Sequence, residues 1–397
     1  MAQTSAEQMR AWRGHALFSF GFRPFFLFAA VWAVLAMLAW LGALTGQIEL
    51  PTRFDPVSWH AHEFLFGYLG AVLAGFLLTA VPNWTGRLPI VGWRLAALFA
   101  LWVAGRGAVL LSAALPEGVA ALVDLAFPVV LGALILREIV AGKNWRNLIV
   151  LALLTVFALA NGLFHWEAMR GEFAAQGVGL RLGIATAIMM IAVIGGRIIP
   201  SFTRNWLVKA GHAARPAPPM QRYDKAVLLS SLPVLALWVA QPLATLTGVA
   251  LVLFGGLHAV RLARWQVLHC LSEPLVWVLH AAYAFVPVGG LVLGLEVITG
   301  AAGIAGAQHL WMAGAIGAMT LAVMTRASLG HTGQALTANR STVMIYLCIF
   351  GAAIARALSP VLADLNSAAG ILWLGAFAGF AVAYGPLLWR PRPKSAP

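Results

Sequence analysis

The sequence is short of charge. Lys and Arg number 26, Asp and Glu 13, together 10% of 397 residues. Soluble domains carry about 25%, so an ordinary water-soluble fold is excluded. Cysteine is nearly absent. Cys270 and Cys348 are the only two, which leaves no disulfide framework and no thiolate metal motif. Residues 1–13 lack the apolar core of a cleavable signal peptide, so the first apolar run itself would direct insertion. No long polar stretch marks a separate soluble domain. The longest polar connection, Thr203 to Lys225, contains Arg215-Pro-Ala-Pro-Pro219 and reads as an exposed linker.

What fills the chain is apolar surface. Hydrophobic residues make up 61%, and mean hydropathy is +0.86. A membrane span needs about 20 apolar residues, and the chain divides into such runs almost end to end. Twelve spans are expected, near 24–46, 59–82, 92–114, 118–140, 146–168, 178–200, 226–243, 245–263, 272–295, 302–325, 342–362 and 367–389. The boundary at Gln241-Pro242 is thin and also allows a broken hairpin. The predicted architecture is an all-α polytopic bundle forming one membrane domain, with a cytoplasmic segment at 1–23 and a cytoplasmic tail at 390–397.

The basic residues support this count. Twenty-one of the 26 fall on one side of the expected spans. The positive-inside rule places both termini in the cytoplasm. The same asymmetry accounts for the net charge of +13 by lipid head groups rather than nucleic acid. Spans 2, 6 and 10 end in similar polar turns: Val81-Pro-Asn-Trp-Thr-Gly-Arg87, Ile199-Pro-Ser-Phe-Thr-Arg-Asn205, and Met324-Thr-Arg-Ala-Ser-Leu-Gly-His-Thr-Gly333. The interval of four spans suggests three four-helix units. Ordinary helix-stop chemistry would give the same endings.

The chemistry centres on Trp59-His60-Ala61-His62-Glu63 at the start of span 2. Ionisable groups in a span are costly and mark function by default; imidazole suits copper, iron and zinc. The bland alternative is an interfacial helix start. His60, His62, His165 and His309 fall at one level, the outer face. His60 and His62 are about 200° apart on a helix, so they do not share one centre on a regular helix. Glu63 or Glu167 would hold the second ring nitrogen of a ligating His. His280, His258 and His331 form a deeper group, with an interhelical hydrogen bond as the alternative for His280 and a cap for His331. Arg197 and Arg326 either snorkel or pair with an anionic ligand such as a propionate.

These motifs resemble the NnrS family of bacterial inner-membrane proteins. The resemblance runs through Phe22-Arg-Pro-Phe-Phe26, Trp59 to Glu63, Gly75 to Arg87, Gly195-Gly-Arg-Ile-Ile-Pro200, Trp277-Val-Leu-His280 and His309 to Gly333. It implies a twelve-span inner-membrane protein containing haem b and copper, linked to denitrification and relief of nitrosative stress. By analogy with the haem–copper oxidase core, His60 or His62 with His309 would hold the haem. His165 would complete that site or bind copper, and His280 with His258 or His331 would form a second one. The expected ligand is nitric oxide, with a quinol or periplasmic electron donor. If the protein is an enzyme, it is a haem-dependent oxidoreductase acting on nitric oxide. The rival reading is an exporter of a metal or metal–nitrosyl species, since twelve spans and internal repetition suit transporters.

Overall fold

The computed structural model describes residues 14–86, 89–301 and 303–391. Arg10, Arg13, Arg87, Arg392 and Lys394 lie outside them. Twelve helices are long and apolar enough to cross a membrane, and no strand occurs among the described residues. They are α1 (Phe22–Leu44), α2 (Pro56–Thr85), α3 (Trp93–Leu110), α4 (Val119–Ala141), α5 (Trp145–Met169), α6 (Val178–Lys209), α7 (Arg222–Ala240), α8 (Thr245–Ala263), α9 (Pro274–Thr299), α10 (Ile304–Thr332), α11 (Arg340–Leu358) and α12 (Leu365–Trp389). Each coincides with one expected span. A turn between Ala240 and Thr245 separates α7 from α8. The chain is therefore a multi-pass membrane protein.

Three helices differ from the rest. In α2, α6 and α10, 83%, 72% and 72% of the most apolar stretch is buried, against 50% or less elsewhere. Each of the three also widens into a π-helical segment, at Glu63–Tyr68, Ile191–Gly195 and Leu310–Ala318. Such wide turns are rare, and they gather at functional sites. Their recurrence every fourth helix matches the interval of the repeated helix endings.

The described chain forms two compact units. Unit 1 comprises Met1–Gly183, Ala327–Ala335 and Phe380–Pro397; unit 2 comprises Ile184–Arg326 and Leu336–Gly379. In unit 1, buried Arg23 ties the end of α12 to the start of α1. Its guanidinium donates to the carbonyls of Leu387, Leu388 and Arg390 at 3.2, 3.0 and 2.8 Å. A cation there satisfies carbonyls that a helix C-terminus leaves unpaired.

Candidate functional site: a buried imidazole–carboxylate cluster

The start of α2 is set locally. Asp55 accepts from the backbone N–H groups of Val57 and Ser58 at 3.0 and 2.9 Å, and Pro56 takes the first helical position. Two turns later come His60, His62 and Glu63, just where the π segment begins. The two imidazoles diverge. His60 stacks on Trp40, with ring centroids 4.5 Å apart, and lies beside Phe64. His62 is wholly buried among polar groups from α3, α4 and α5.

Those groups form one network inside unit 1. His62 Nδ1 meets Glu63 Oε1 at 2.9 Å. His62 Nε2 meets Asn161 Oδ1 at 2.9 Å and Asp124 Oδ2 at 3.3 Å. The same Asp124 oxygen accepts from Asn161 Nδ2 at 2.7 Å and from His165 Nε2 at 3.1 Å. Arg106 donates to Glu63 Oε1 at 2.6 Å and to Asp124 Oδ1. All six side chains are buried.

Helical spacing explains the convergence. Asn161 and His165 are four apart on α5 and share a face. Trp102 and Arg106 are four apart on α3, opposite Glu63 and Gly67, four apart on α2. Arg106 takes the Glu63 carboxylate, and Trp102 Nε1 donates to the Gly67 carbonyl at 2.9 Å. That carbonyl lies inside the π segment, so the indole covers a backbone acceptor in the irregular turn. Glycine is required here for close approach. A Cβ on Gly67 would collide with the Arg106 guanidinium, and one on Gly105 would come within 2.9 Å of Asp124 Oδ1.

Asn161 donates its amide N–H to Asp124, so its carbonyl oxygen faces His62. Both nitrogens of His62 therefore face oxygen atoms. An ion at Nε2 would take the place of the Asn161 contact. The donor set passes a geometric test for that exchange. One nitrogen of each imidazole and one Asp124 oxygen lie within 4.8 Å of one another. A tetrahedral ion with bonds near 2.0–2.1 Å spaces its ligands about 3.3 Å apart. The two nitrogen–oxygen separations on Asp124 Oδ2, 3.3 and 3.1 Å, match it. Glu63 on the far nitrogen of His62 supplies the carboxylate that orients a ligating imidazole. A macrocycle does not fit between the two rings, whose centroids are 4.8 Å apart.

A scan of family models matches the chain from residue 16 to residue 392 to the family described as NnrS protein. The chain belongs to the NnrS family. Comparison with curated proteins gives no match. The NnrS family ties this membrane protein to the nitric oxide response and, in general terms, to metal and haem binding.

The remaining imidazoles of this NnrS chain stand elsewhere. In unit 2, His258 Nδ1 accepts from the Tyr283 hydroxyl at 2.8 Å, and its Nε2 meets Ser231 Oγ at 3.0 Å. Arg261 joins them, donating to Tyr283 Oη at 3.0 Å and to Asp224 Oδ1 at 2.8 Å. His280 is held by the Val276 carbonyl at 3.1 Å, the Trp265 carbonyl at 3.3 Å and the Thr203 hydroxyl at 3.2 Å. These hydrogen bonds do not join His258 to His280. His309, also in unit 2, donates from Nδ1 to the Ala305 carbonyl at 2.7 Å. That bond leaves the lone pair on Nε2, the tautomer a metal-binding His adopts. His331, in unit 1, lies against the rings of Phe20 and Phe22.

The expected supporting residues divide as well. Glu63 sits in the cluster. The Glu167 carboxylate instead accepts from the N–H groups of Val178 and Gly179 at 2.6 and 3.2 Å, capping α6. Arg326 lies over the Phe202 ring at 4.1 Å, and Arg197 is half-buried on α6. Two carboxylates from different spans, Glu63 and Asp124, are joined through Arg106. Sequence reasoning missed Asp124 and Asn161 and gave Arg106 no role. The signal was present, since Arg106 and Asp124 are opposite charges placed inside neighbouring apolar runs.

Proposed function

We propose that this NnrS protein binds a copper ion at His62, His165 and Asp124, and that it binds and detoxifies nitric oxide in the bacterial inner membrane. The observation that carries the ion site is the three-donor cluster with a carboxylate behind His62. Charge supports copper. With neutral imidazoles, the formal charges of Glu63, Asp124 and Arg106 sum to one negative charge, and a cuprous ion cancels it. A divalent ion would leave a positive charge in a buried site, which is costly. Bound copper supplies one-electron redox chemistry and affinity for diatomic ligands. The chain's own residues hold the ion, exclude water and neutralise the cluster.

Haem b finds its ligand outside this cluster. His309 fits best, because its Nδ1–H is committed to a carbonyl and Nε2 is free to bind iron. His280 is occupied by hydrogen bonds. Nitric oxide is small, neutral and lipid-soluble, so it needs no polar cleft. Turnover would draw electrons from a quinol or a periplasmic donor.

Purified protein is expected to carry about one copper per chain and a Soret band that shifts on addition of nitric oxide. Metal analysis and visible spectra check this; a colourless, copper-free preparation with all spans inserted refutes it. The excess of basic residues on one side of the spans supports cytoplasmic termini. A C-terminal fusion is expected to be active as a cytoplasmic reporter and silent as a periplasmic one, and the reverse pattern overturns the orientation.

A further inference from the structure

The cluster is sealed on most sides, yet an ion must reach it. Nitric oxide dissolves in lipid; a hydrated cation does not. Unit 1 holds a cavity of about 340 Å³ that abuts the cluster. Its lining includes Arg53, Phe54, Glu117, Ala120, His165 and Met169. Arg53, Glu117 and Met169 are exposed, whereas His165 is 3% exposed. The cavity therefore runs from the protein surface to one ligand of the candidate ion site. His165 belongs to both, lining the cavity while its Nε2 reaches Asp124.

The wall contains a sequence of donors. Glu117 is a carboxylate at the exposed end. Met169 stands one helical turn beyond His165 on α5, so its thioether and the imidazole share a face. Thioether and imidazole together suit a soft cuprous ion. Arg53, the cationic wall residue, has its guanidinium committed. It donates from Nε to the Ser112 carbonyl at 2.9 Å and from Nη2 to the Leu115 carbonyl at 2.8 Å.

Phe54 closes the inner end. Its ring centroid lies 5.3 Å from that of His62, 5.5 Å from that of His165 and 5.7 Å from that of Phe164. The residue thus lines the cavity and packs on both imidazoles of the cluster. It belongs to the short segment between α1 and α2, outside either helix, and its two chain neighbours, Arg53 and Asp55, are exposed. Its ring also packs with Ala36, Trp59 and Val109, so a rotation of the side chain, with the backbone in place, is what would uncover the imidazoles.

We infer that this cavity is the loading vestibule of the ion site: a cuprous ion enters past Glu117, is held between Met169 and His165, and passes to His62 and Asp124 when the Phe54 ring swings away. The inference rests on the ion-site reading above. No electron moves in this transfer; the ion only exchanges ligands.

The test uses the full-length protein in detergent, freed of copper and offered copper(I) as its coloured bicinchoninate complex. Loss of colour gives the loading rate, and metal analysis gives the final stoichiometry. Phe54→Ala is expected to load about tenfold faster, Ala120→Trp, which fills the cavity, about tenfold slower, and Met169→Leu several-fold slower, all ending at the wild-type stoichiometry; tenfold corresponds to about 1.4 kcal/mol in a barrier. Met169→Leu conserves volume, so it reads the thioether and not the packing. If Ala120→Trp does not fold, the Phe54→Ala and Met169→Leu rates decide. Wild-type rates in these variants, with full final copper, overturn the vestibule and leave the ion site standing. A wild-type protein that retains no copper overturns the ion site and the vestibule with it.

Discussion

Arg106→Leu is expected to destabilise the protein by about 3–5 kcal/mol, the range found when one partner of a buried ion pair is removed. The guanidinium, charged at any pH, bonds both Glu63 and Asp124. Leucine fills similar volume and supplies no charge, so two carboxylates remain inside a membrane helix bundle with no permanent countercharge. The loss is read as a lowered midpoint in detergent-induced unfolding. Glu63→Gln is expected to cost less, because Asp124 still holds Arg106. A double variant, Glu63→Gln with Arg106→Leu, is expected to recover part of the Arg106→Leu loss. An unfolding midpoint unchanged in Arg106→Leu would show that the network contributes nothing to stability.

Asp124→Asn is expected to empty the ion site. The residue is isosteric, so the helices keep their packing, but its oxygen no longer carries charge and its amide group competes with the N–H donors of Asn161 and His165. His62→Ala and His165→Ala are expected to lose the ion as well. His60→Ala is expected to retain it, because His60 faces Trp40 and Phe64 rather than the cluster. Copper analysis of the four purified variants checks the pattern. Full copper in Asp124→Asn, or its loss in His60→Ala, would refute the assignment. Glu63→Gln is expected to weaken binding by about 10–100-fold, the usual effect of losing the carboxylate behind a ligating imidazole.

The cluster is expensive to keep. Glu63 Oε2 and Arg106 Nε are buried without a hydrogen-bond partner. A partly satisfied polar network in a bundle is harder to fold than an apolar one. That imbalance supports a functional reason for its presence.

The membrane architecture was legible in the sequence because length and apolarity suffice to define a span. Each of the twelve helices falls on an expected run, and the basic residues divide between alternate connections. The divergence of His60 and His62 was legible too, since about 100° per residue separates their directions. The π segments were not. A single widened turn leaves hydropathy unchanged and shifts periodicity too briefly to be read. Asp124 was overlooked because one carboxylate in the apolar run from Val119 resembles an interfacial residue. Its meaning depends on Arg106, eighteen positions earlier, and on Asn161 and His165, on a different helix. The fate of Glu167 depended on where the chain turns back into α6, a matter of backbone geometry that no residue pattern announces.

Helix α2 has 83% of its apolar stretch shielded by protein, but α3, α4 and α5, which bring Arg106, Asp124, Asn161 and His165 to it, have only 39%, 28% and 44%. Helices that meet lipid absorb mismatch with the bilayer by tilting. Changes in membrane thickness or fatty-acid composition therefore act on the helices that hold the partners of His62, and the distance from His62 to His165 should respond as the cell remodels its lipids.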